Sequence, residues 1–381
     1  MDNLIKRTLQ PYIENSLFKE KIVIIYGARQ VGKTTLVKQI MQSQNKKSLY
    51  INCDEPDNRF LLANKTSSEL KNLLGNNELV IIDEAQRVEN IGLTLKLIID
   101  NYPQIQIIAT GSSSFELSNK INEPLTGRKY EFHLYPFSLE ELSQKFSHPL
   151  EQKRLLKQQI IFGLYPEIIN HPSDAKNNLR ELTKSYLYKD VLQYINIRNS
   201  DVLYKLLQAI ALQIGNEVSY NELANLLKID KKTVHHYILI LEQAFIIFRL
   251  NPYGKNLRTE LRKKRKIYFY DTGIRNALIN NLNDIDLRND VGALWENFLI
   301  TERIKYNQNH NHYTNNYFWR THAQQEIDYL EETNGQLSAF EFKWNSKKAH
   351  QQAPKPFRDA YPNTPFEVVT PDNYQKFVGL K

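Results

Sequence analysis

The chain has 381 residues, of which 41% are hydrophobic and 24% charged, a composition that folds and that excludes long disorder. Lys and Arg outnumber Asp and Glu by 50 to 42, and the resulting net charge of +8 favours a polyanionic partner only where the cations cluster. The single cysteine, Cys53, excludes an intrachain disulfide and a cysteine-rich zinc centre; no apolar run is long enough to span a bilayer, and residues 1–10 lack a signal-peptide pattern, so the cytoplasm is the expected compartment.

In chain order, residues 21–26 (KIVIIY) predict a buried strand, followed by a glycine-bearing loop and a helix. Residues 48–52 (SLYIN), 78–82 (ELVII) and 104–110 (QIQIIAT) predict three more strands, with a helix over 91–100 between the last two. Strands alternating with helices imply a parallel α/β sheet, whose ligands sit at the carboxyl ends of the strands. From 136 to about 201 apolar residues recur at helical spacing. Residues 205–268 read as three helices and a hairpin, and beyond about 267 strands and helices mix to the end. The expected division is an α/β core at 1–135, a helical lid at 136–204, a winged helix at 205–268 and a final α/β domain at 269–381.

Gly27-Ala28-Arg29-Gln30-Val31-Gly32-Lys33-Thr34 fits G-x-x-x-x-G-K-[ST] in full, between a hydrophobic strand and a helical pattern opening at Thr35. Cradling phosphate oxygens requires converging backbone N–H groups, and glycine gives the main chain the freedom for it. The helix N-terminus adds partial positive charge. The pattern predicts ATP with Mg²⁺ across residues 27–35, with Lys33 on the β- and γ-phosphates and the Thr34 hydroxyl on the metal. Leu79-Val80-Ile81-Ile82-Asp83-Glu84 supplies the partner motif: Asp83 for the metal and Glu84 as general base toward the attacking water. A helix N-cap is the plainer reading of such an acidic pair. Thr110 and Ser112 either sense the γ-phosphate or form an ordinary turn. Arg128 is either an arginine finger toward a neighbour's ATP in a homo-oligomer or a solvated surface residue.

Taken together, GARQVGKTT, LVIIDEAQ, IIATGSSS, LTGRKYEFHLYPFS, GLYPEI, YFYDTGIRNAL and EIDYL…FEFKW resemble the AAA-superfamily ATPases inferred in bacteria and archaea, whose C-terminal domain is long catalogued as of unknown function. The resemblance covers nearly the whole chain and implies a P-loop NTPase core of AAA type followed by further domains. Leu164 in Gly163-Leu164-Tyr165-Pro166 stands where the family leads one to expect glycine, which argues against a nucleotide role for that turn. Tyr270-Asp271-Thr272-Gly273 reads as a strand end and helix cap.

Ser219-Tyr220-Asn221-Glu222 is a capping box opening a helix with Leu223, Leu226 and Leu227 inward. Asp230 can cap a second helix that buries Val234, Tyr237, Ile238 and Leu241 and presents Lys231, Lys232, His235 and His236 on its other face. This is helix-turn-helix spacing. Arg258, Arg262, Lys263, Lys264, Arg265 and Lys266 then supply a basic wing, so the expected partner is DNA, held through its phosphates. Packing against protein is the alternative use of the same fold.

Residues 326–329 and 339–344 predict two strands of a hairpin. Glu341 and Lys343 share one strand face, Asp328 lies on the adjacent strand, and Glu296 sits on a preceding helix among Trp295, Phe298 and Leu299. This order resembles the restriction-endonuclease-like core, which implies Asp328 and Glu341 holding Mg²⁺, Lys343 steadying the attacking water and Glu296 in support. A cross-strand ion pair in a catalytically dead fold is the competing reading. The nine histidines show no paired-ligand spacing, so no zinc site is expected.

Overall fold

Five short, mostly apolar runs form the first sheet: β1 (Ile22–Tyr26), β2 (Ser48–Asn52), β3 (Leu79–Asp83), β4 (Gln106–Gly111) and β5 (Lys129–His133). The structure is a computed structural model that describes residues 4–112, 121, 124–144, 149–186, 200–254, 265–348 and 352–380. The chain divides into two compact units, Met1–Pro136 with Gln243–Phe245, and Phe137–Glu242 with Ile246–Lys381.

In the first unit the five strands are parallel and ordered β2-β3-β4-β1-β5. The fold is the mixed α/β one of a P-loop NTPase. Strands β1, β3 and β4 are buried along their whole length, as continuous Val/Ile runs must be when both faces are covered. Because β4 lies between β1 and β3, the ends of three strands meet at one edge, where the glycine loop follows β1 and Asp83 closes β3. Strand β5 is absent from the sequence reading. Its residues KYEFH are largely polar because it is an edge strand with one buried side chain, Phe132.

In the second unit the strands are β6 (Glu217–Val218), β7 (Ile247–Pro252), β8 (Arg265–Phe269), β9 (Asn315–Arg320), β10 (Glu326–Thr333), β11 (Gln336–Phe342) and β12 (Phe366–Val369). They form one seven-stranded sheet, ordered β12-β11-β10-β9-β7-β8-β6. The hairpin expected to be the wing is therefore continuous with the C-terminal strands: β7 pairs with β9 in parallel, through Asn251 and Pro252. The boundary expected at 268/269 runs through this sheet. An isolated two-stranded hairpin buries too little to stand alone, and the helix Val291–Asn309 fastens this one through Asn297, which bonds both the N–H and the carbonyl of Phe269.

Two distant turns are also matched. Asp271 caps the helix Thr272–Leu278 through Ile274 N–H and accepts the N–H of Leu164 at 2.7 Å. A Cβ on Gly163 would lie 2.0 Å from the Asp271 carboxylate, and one on Gly273 would lie 2.1 Å from the Phe162 carbonyl. The Gly163–Pro166 turn and the Tyr270–Gly273 segment are thus two halves of one packing device, with Leu164 buried inside it.

Candidate functional site

At the carboxyl edge of the first sheet, the loop after β1 turns through Gln30 (φ 61°) and Gly32 (φ 97°) into the helix Lys33–Ser43. Gly27 is fixed by crowding, since a Cβ there would sit 2.2 Å from the Leu134 carbonyl. Ala28 and Val31 are buried, Arg29 is half-buried, and Thr35 is exposed in the first helical turn. Arg7, which sequence reasoning missed, donates from its buried guanidinium to the Val31 carbonyl at 3.2 Å and to that of Tyr135. No motif spacing links Arg7 to the loop, so only the fold reveals it. Lys33 is 5% exposed and folds back on the loop, its Nζ 2.9 Å from the Gly27 carbonyl and 3.0 Å from that of Ala28.

Asp83 ends β3 beside the helix start. Its Oδ2 accepts from Thr34 Oγ1 at 2.7 Å and from Tyr50 OH at 2.6 Å, and its Oδ1 accepts from Thr110 Oγ1. Burial, reinforced by the Asp83 hydrogen bond, holds the Tyr50 hydroxyl far above the usual tyrosine range, so it stays a neutral donor. The carboxylate is therefore met by three hydroxyls and no cation among these bonds. A buried carboxylate and a hydroxyl 2.7 Å apart at the mouth of a glycine loop are hard oxygen donors that fit Mg²⁺. Thr34 and Asp83 would hold that metal, which when bound neutralises charge on the β- and γ-phosphates.

Glu84 follows in the left-handed region (φ 54°), a conformation that turns it out of the strand line. Its N–H donates to Thr110 Oγ1 at 3.1 Å and its Oε2 accepts from Gln86 Nε2 at 2.6 Å, while Gln86 also reaches Ser112 Oγ at 3.0 Å. Thr110 thus ties the two acids together, and Gln86, given no role by the sequence reading, ties Glu84 to the end of β4. Arg128 precedes β5 at the amino edge of the sheet, opposite the phosphate loop, where it pairs with Asp100 at 2.6 Å on the surface.

The second unit contains a different acid cluster. Oxygens of Glu296, Glu326 and Asp328 lie within 4.8 Å of one another. Glu326 and Asp328 share a face of β10, two residues apart, and Glu296 comes from the helix Val291–Asn309. Glu341, expected to share a metal with Asp328, instead pairs with Lys343 at 2.7 Å, because Lys343 lies two residues on and faces the same way. Asp328 Oδ2 accepts the N–H of Phe342 at 2.8 Å. Burial works against the Lys343 charge, but the Glu341 hydrogen bond and the Asp328 and Glu296 carboxylates hold its ammonium above the usual lysine range.

Lys266 corrects the reading of the basic wing. It is fully buried, with Nζ 2.9 Å from Glu296 Oε1 and a closer ion pair to Glu326. It lies inside the sheet as the second residue of β8, so it is no phosphate contact. Arg265 is half-buried and donates to Asn251 Oδ1 at 3.0 Å. Arg258, Arg262, Lys263 and Lys264 lie outside the described residues. On the helix pair, Lys231, Lys232, His235 and His236 are exposed, and Val234, Ile238 and Leu241 are buried, with Tyr237 between. Asp230 accepts the N–H of Thr233 at 2.9 Å as a cap. Leu226, expected inward, is 63% exposed: the helix Tyr220–Leu227 buries Leu223 and Ala224, and at 3.6 residues per turn Leu226 points well away from that pair.

Among the described residues, no helix is long and apolar enough to cross a membrane. Comparison with known proteins agrees with the geometry of the first unit. Residues 19–143 match the family described as an AAA domain, and residues 153–285 and 291–377 match two domains of unknown function, DUF8612 and DUF4143. Two proteins of Methanocaldococcus jannaschii are similar: MJ1637 is 28% identical over 72% of this chain and 66% of its own length, and MJ1544 is 29% identical over 77% and 72%. Rv2008c of Mycobacterium tuberculosis is 25% identical over 90% of this chain and 74% of its own. All three are described as uncharacterized. The crystal structure of Pif1 helicase from Candida albicans covers 48% of each chain at 15% identity and a TM-score of 0.25, too loose a likeness to carry weight. Residues 19–143, which hold the phosphate loop, Asp83 and Glu84, are thus similar to an AAA domain, which supports nucleotide binding at this site.

Proposed function

We propose that the chain is an ATPase that couples hydrolysis of Mg²⁺-ATP at the phosphate loop to work on DNA. The observation that carries the ATPase reading is the Thr34–Asp83 hydrogen bond beside Lys33, which joins the two motifs into one site. Lys33 is placed to leave the loop carbonyls for phosphate oxygens, and Glu84, held by Gln86, is the base that polarises the attacking water. Arg128 would act only toward the nucleotide of a neighbouring copy, given its place at the far edge of its own sheet.

DNA as the partner is supported by the exposed Lys231, Lys232, His235 and His236 on the second helix of a helix-turn-helix pair. The C-terminal module is read as nuclease-like in architecture, with Glu296, Asp328, Glu341 and Lys343 on the elements that such a core uses. The metal fit there is poor, since a buried lysine already fills the carboxylate cluster, and this favours a second reading in which the nuclease-like fold does not cut and ATP state controls a binding surface. Phosphate release and strand cleavage measured together, with and without ATP, Mg²⁺ and duplex or single-stranded DNA, separate the readings. ATPase stimulation by DNA supports the first; slow turnover unmoved by DNA supports the second. A purified protein that binds no ATP would refute both.

A further inference from the structure

We propose that the Lys266 ammonium takes the place of a divalent cation in the Glu296–Glu326–Asp328 cluster, so that the C-terminal module holds its carboxylates together without metal. The inference rests on the nuclease-like reading for its architecture only. Three carboxylates this close repel unless a cation stands among them. Here one does. Lys266 and Tyr268 are two apart on β8 and so share a strand face, and both reach Glu296 Oε1, at 2.9 Å and 2.5 Å. Lys266 also pairs with Glu326, whose other oxygen lies 3.3 Å from Arg320 Nη1.

Competition for space follows from these distances. Mg²⁺ binds oxygen at about 2.0–2.1 Å and demands a near-octahedral shell. A metal bridging Glu296 and Glu326 would lie where the ammonium now sits, and the two cations would repel. Asp328 is restrained as well, its Oδ2 taken by the Phe342 N–H, and Lys343 adds a further positive charge beside it. The lysine has a further advantage over a free ion: it is tethered to β8, which pairs with β6 on one side and β7 on the other, so its local concentration never falls. Its side chain is 1% exposed, which leaves little path for exchange with solvent ions.

Mn²⁺ binding, followed by electron paramagnetic resonance without nucleotide, tests this. In the full chain carrying Thr34→Ala and Asp83→Asn, which removes the phosphate-loop metal, no Mn²⁺ should bind in a manner that depends on Asp328. Adding Lys266→Met should create a Mn²⁺ site that Asp328→Asn removes again, and should lower Tm by at least about 5 °C, with partial recovery in Mn²⁺. Asp328-dependent binding with Lys266 in place would overturn the proposal, as would a folded Lys266→Met protein that gains no site. If Lys266→Met does not fold, the first measurement decides alone, since it leaves Lys266 untouched. A protein that cuts no DNA yet binds Mn²⁺ through Asp328 would sink this inference while leaving the architectural reading in place.

Discussion

Two carboxylate sites in this chain solve the same electrostatic problem in opposite ways. In the first unit Asp83 is buried and is met by the hydroxyls of Thr34, Tyr50 and Thr110. Hydroxyls orient a carboxylate and leave its charge in place, which suits a site that receives a cation together with its ligand. In the second unit Glu296 and Glu326 are met by the ammonium of Lys266. That cation comes from the chain itself, on a buried side chain of β8. Geometry that gathers acids is therefore insufficient evidence for metal chemistry: what distinguishes the sites is whether their present partners are neutral or charged.

The largest expected effect lies in the first site. Lys33→Ala should abolish ATP binding, measured by equilibrium dialysis with Mg²⁺, because it removes the ammonium held at the Gly27 and Ala28 carbonyls for the β- and γ-phosphates. Glu84→Gln should keep that binding and lower turnover by about 10²- to 10⁴-fold, the usual range for a positioned acid–base group. Turnover surviving in Glu84→Gln would leave the acidic pair with its plainer capping role.

Next in size is the asymmetry of stability. Removing one partner of a buried ion pair strands the other, at a cost of about 3–5 kcal/mol. Lys266→Met should thus shift urea unfolding strongly, whereas Lys266→Met with Glu296→Gln should recover part of the loss. Thr34→Ala in the first site removes a hydrogen bond to a residue that keeps two other donors, so about 1 kcal/mol is expected. Equal losses at both sites would erase the contrast drawn between them.

Local pattern made the first site legible and long-range pairing hid the second. The phosphate loop and the β3 acids are contiguous motifs, each flanked by strand and helix signals that fix where its side chains go. Arg7 and Tyr50 join that site from segments without a motif, and Arg7 lies 24 residues from the carbonyl it holds. In the second site Glu296 and Asp328 could be read from order and spacing, and Glu326 was available from the same strand face. Lys266 was not, because a lysine at the end of a cationic run reads as solvated wing; only the pairing of β8 between β6 and β7 puts it inside. The polar edge strand β5 was missed and Leu226 was misread for a related reason, since burial is decided by neighbours that periodicity does not contain.

A smaller effect is expected on DNA affinity. Lys266 is excluded and Arg258, Arg262, Lys263 and Lys264 of the expected wing lie outside the described residues, so the exposed cations of the helix Lys231–Gln243 are the described part of the expected contact. Each phosphate contact on duplex DNA adds about 0.9 to the slope of log affinity against log salt. Lys231→Ala with Lys232→Ala should flatten that slope by up to about 1.8, while Lys266→Gln, if folded, should leave it unchanged. An unaltered slope in the double variant would move the DNA surface off this helix.

The smallest effect tests whether neutral donors do at Asp83 what a lysine does at Glu296. Tyr50 reaches from β2 to the same oxygen that Thr34 uses, and the Lys38 ammonium lies 4.9 Å from its ring centre. The hydroxyl contributes no charge, so its role is to hold Asp83 in one orientation. Tyr50→Phe keeps the ring and removes only that hydrogen bond, while Thr34 and Thr110 continue to hold the carboxylate. A single such bond is worth about 1 kcal/mol, which is about fivefold in an equilibrium constant. The Mg²⁺ concentration for half-maximal ATPase activity should therefore rise about fivefold, with turnover at saturating Mg²⁺ nearly unchanged. A fall in saturated turnover instead would assign Tyr50 to the attacking water's side of the site, and no change in either would mean that the two threonines alone orient Asp83.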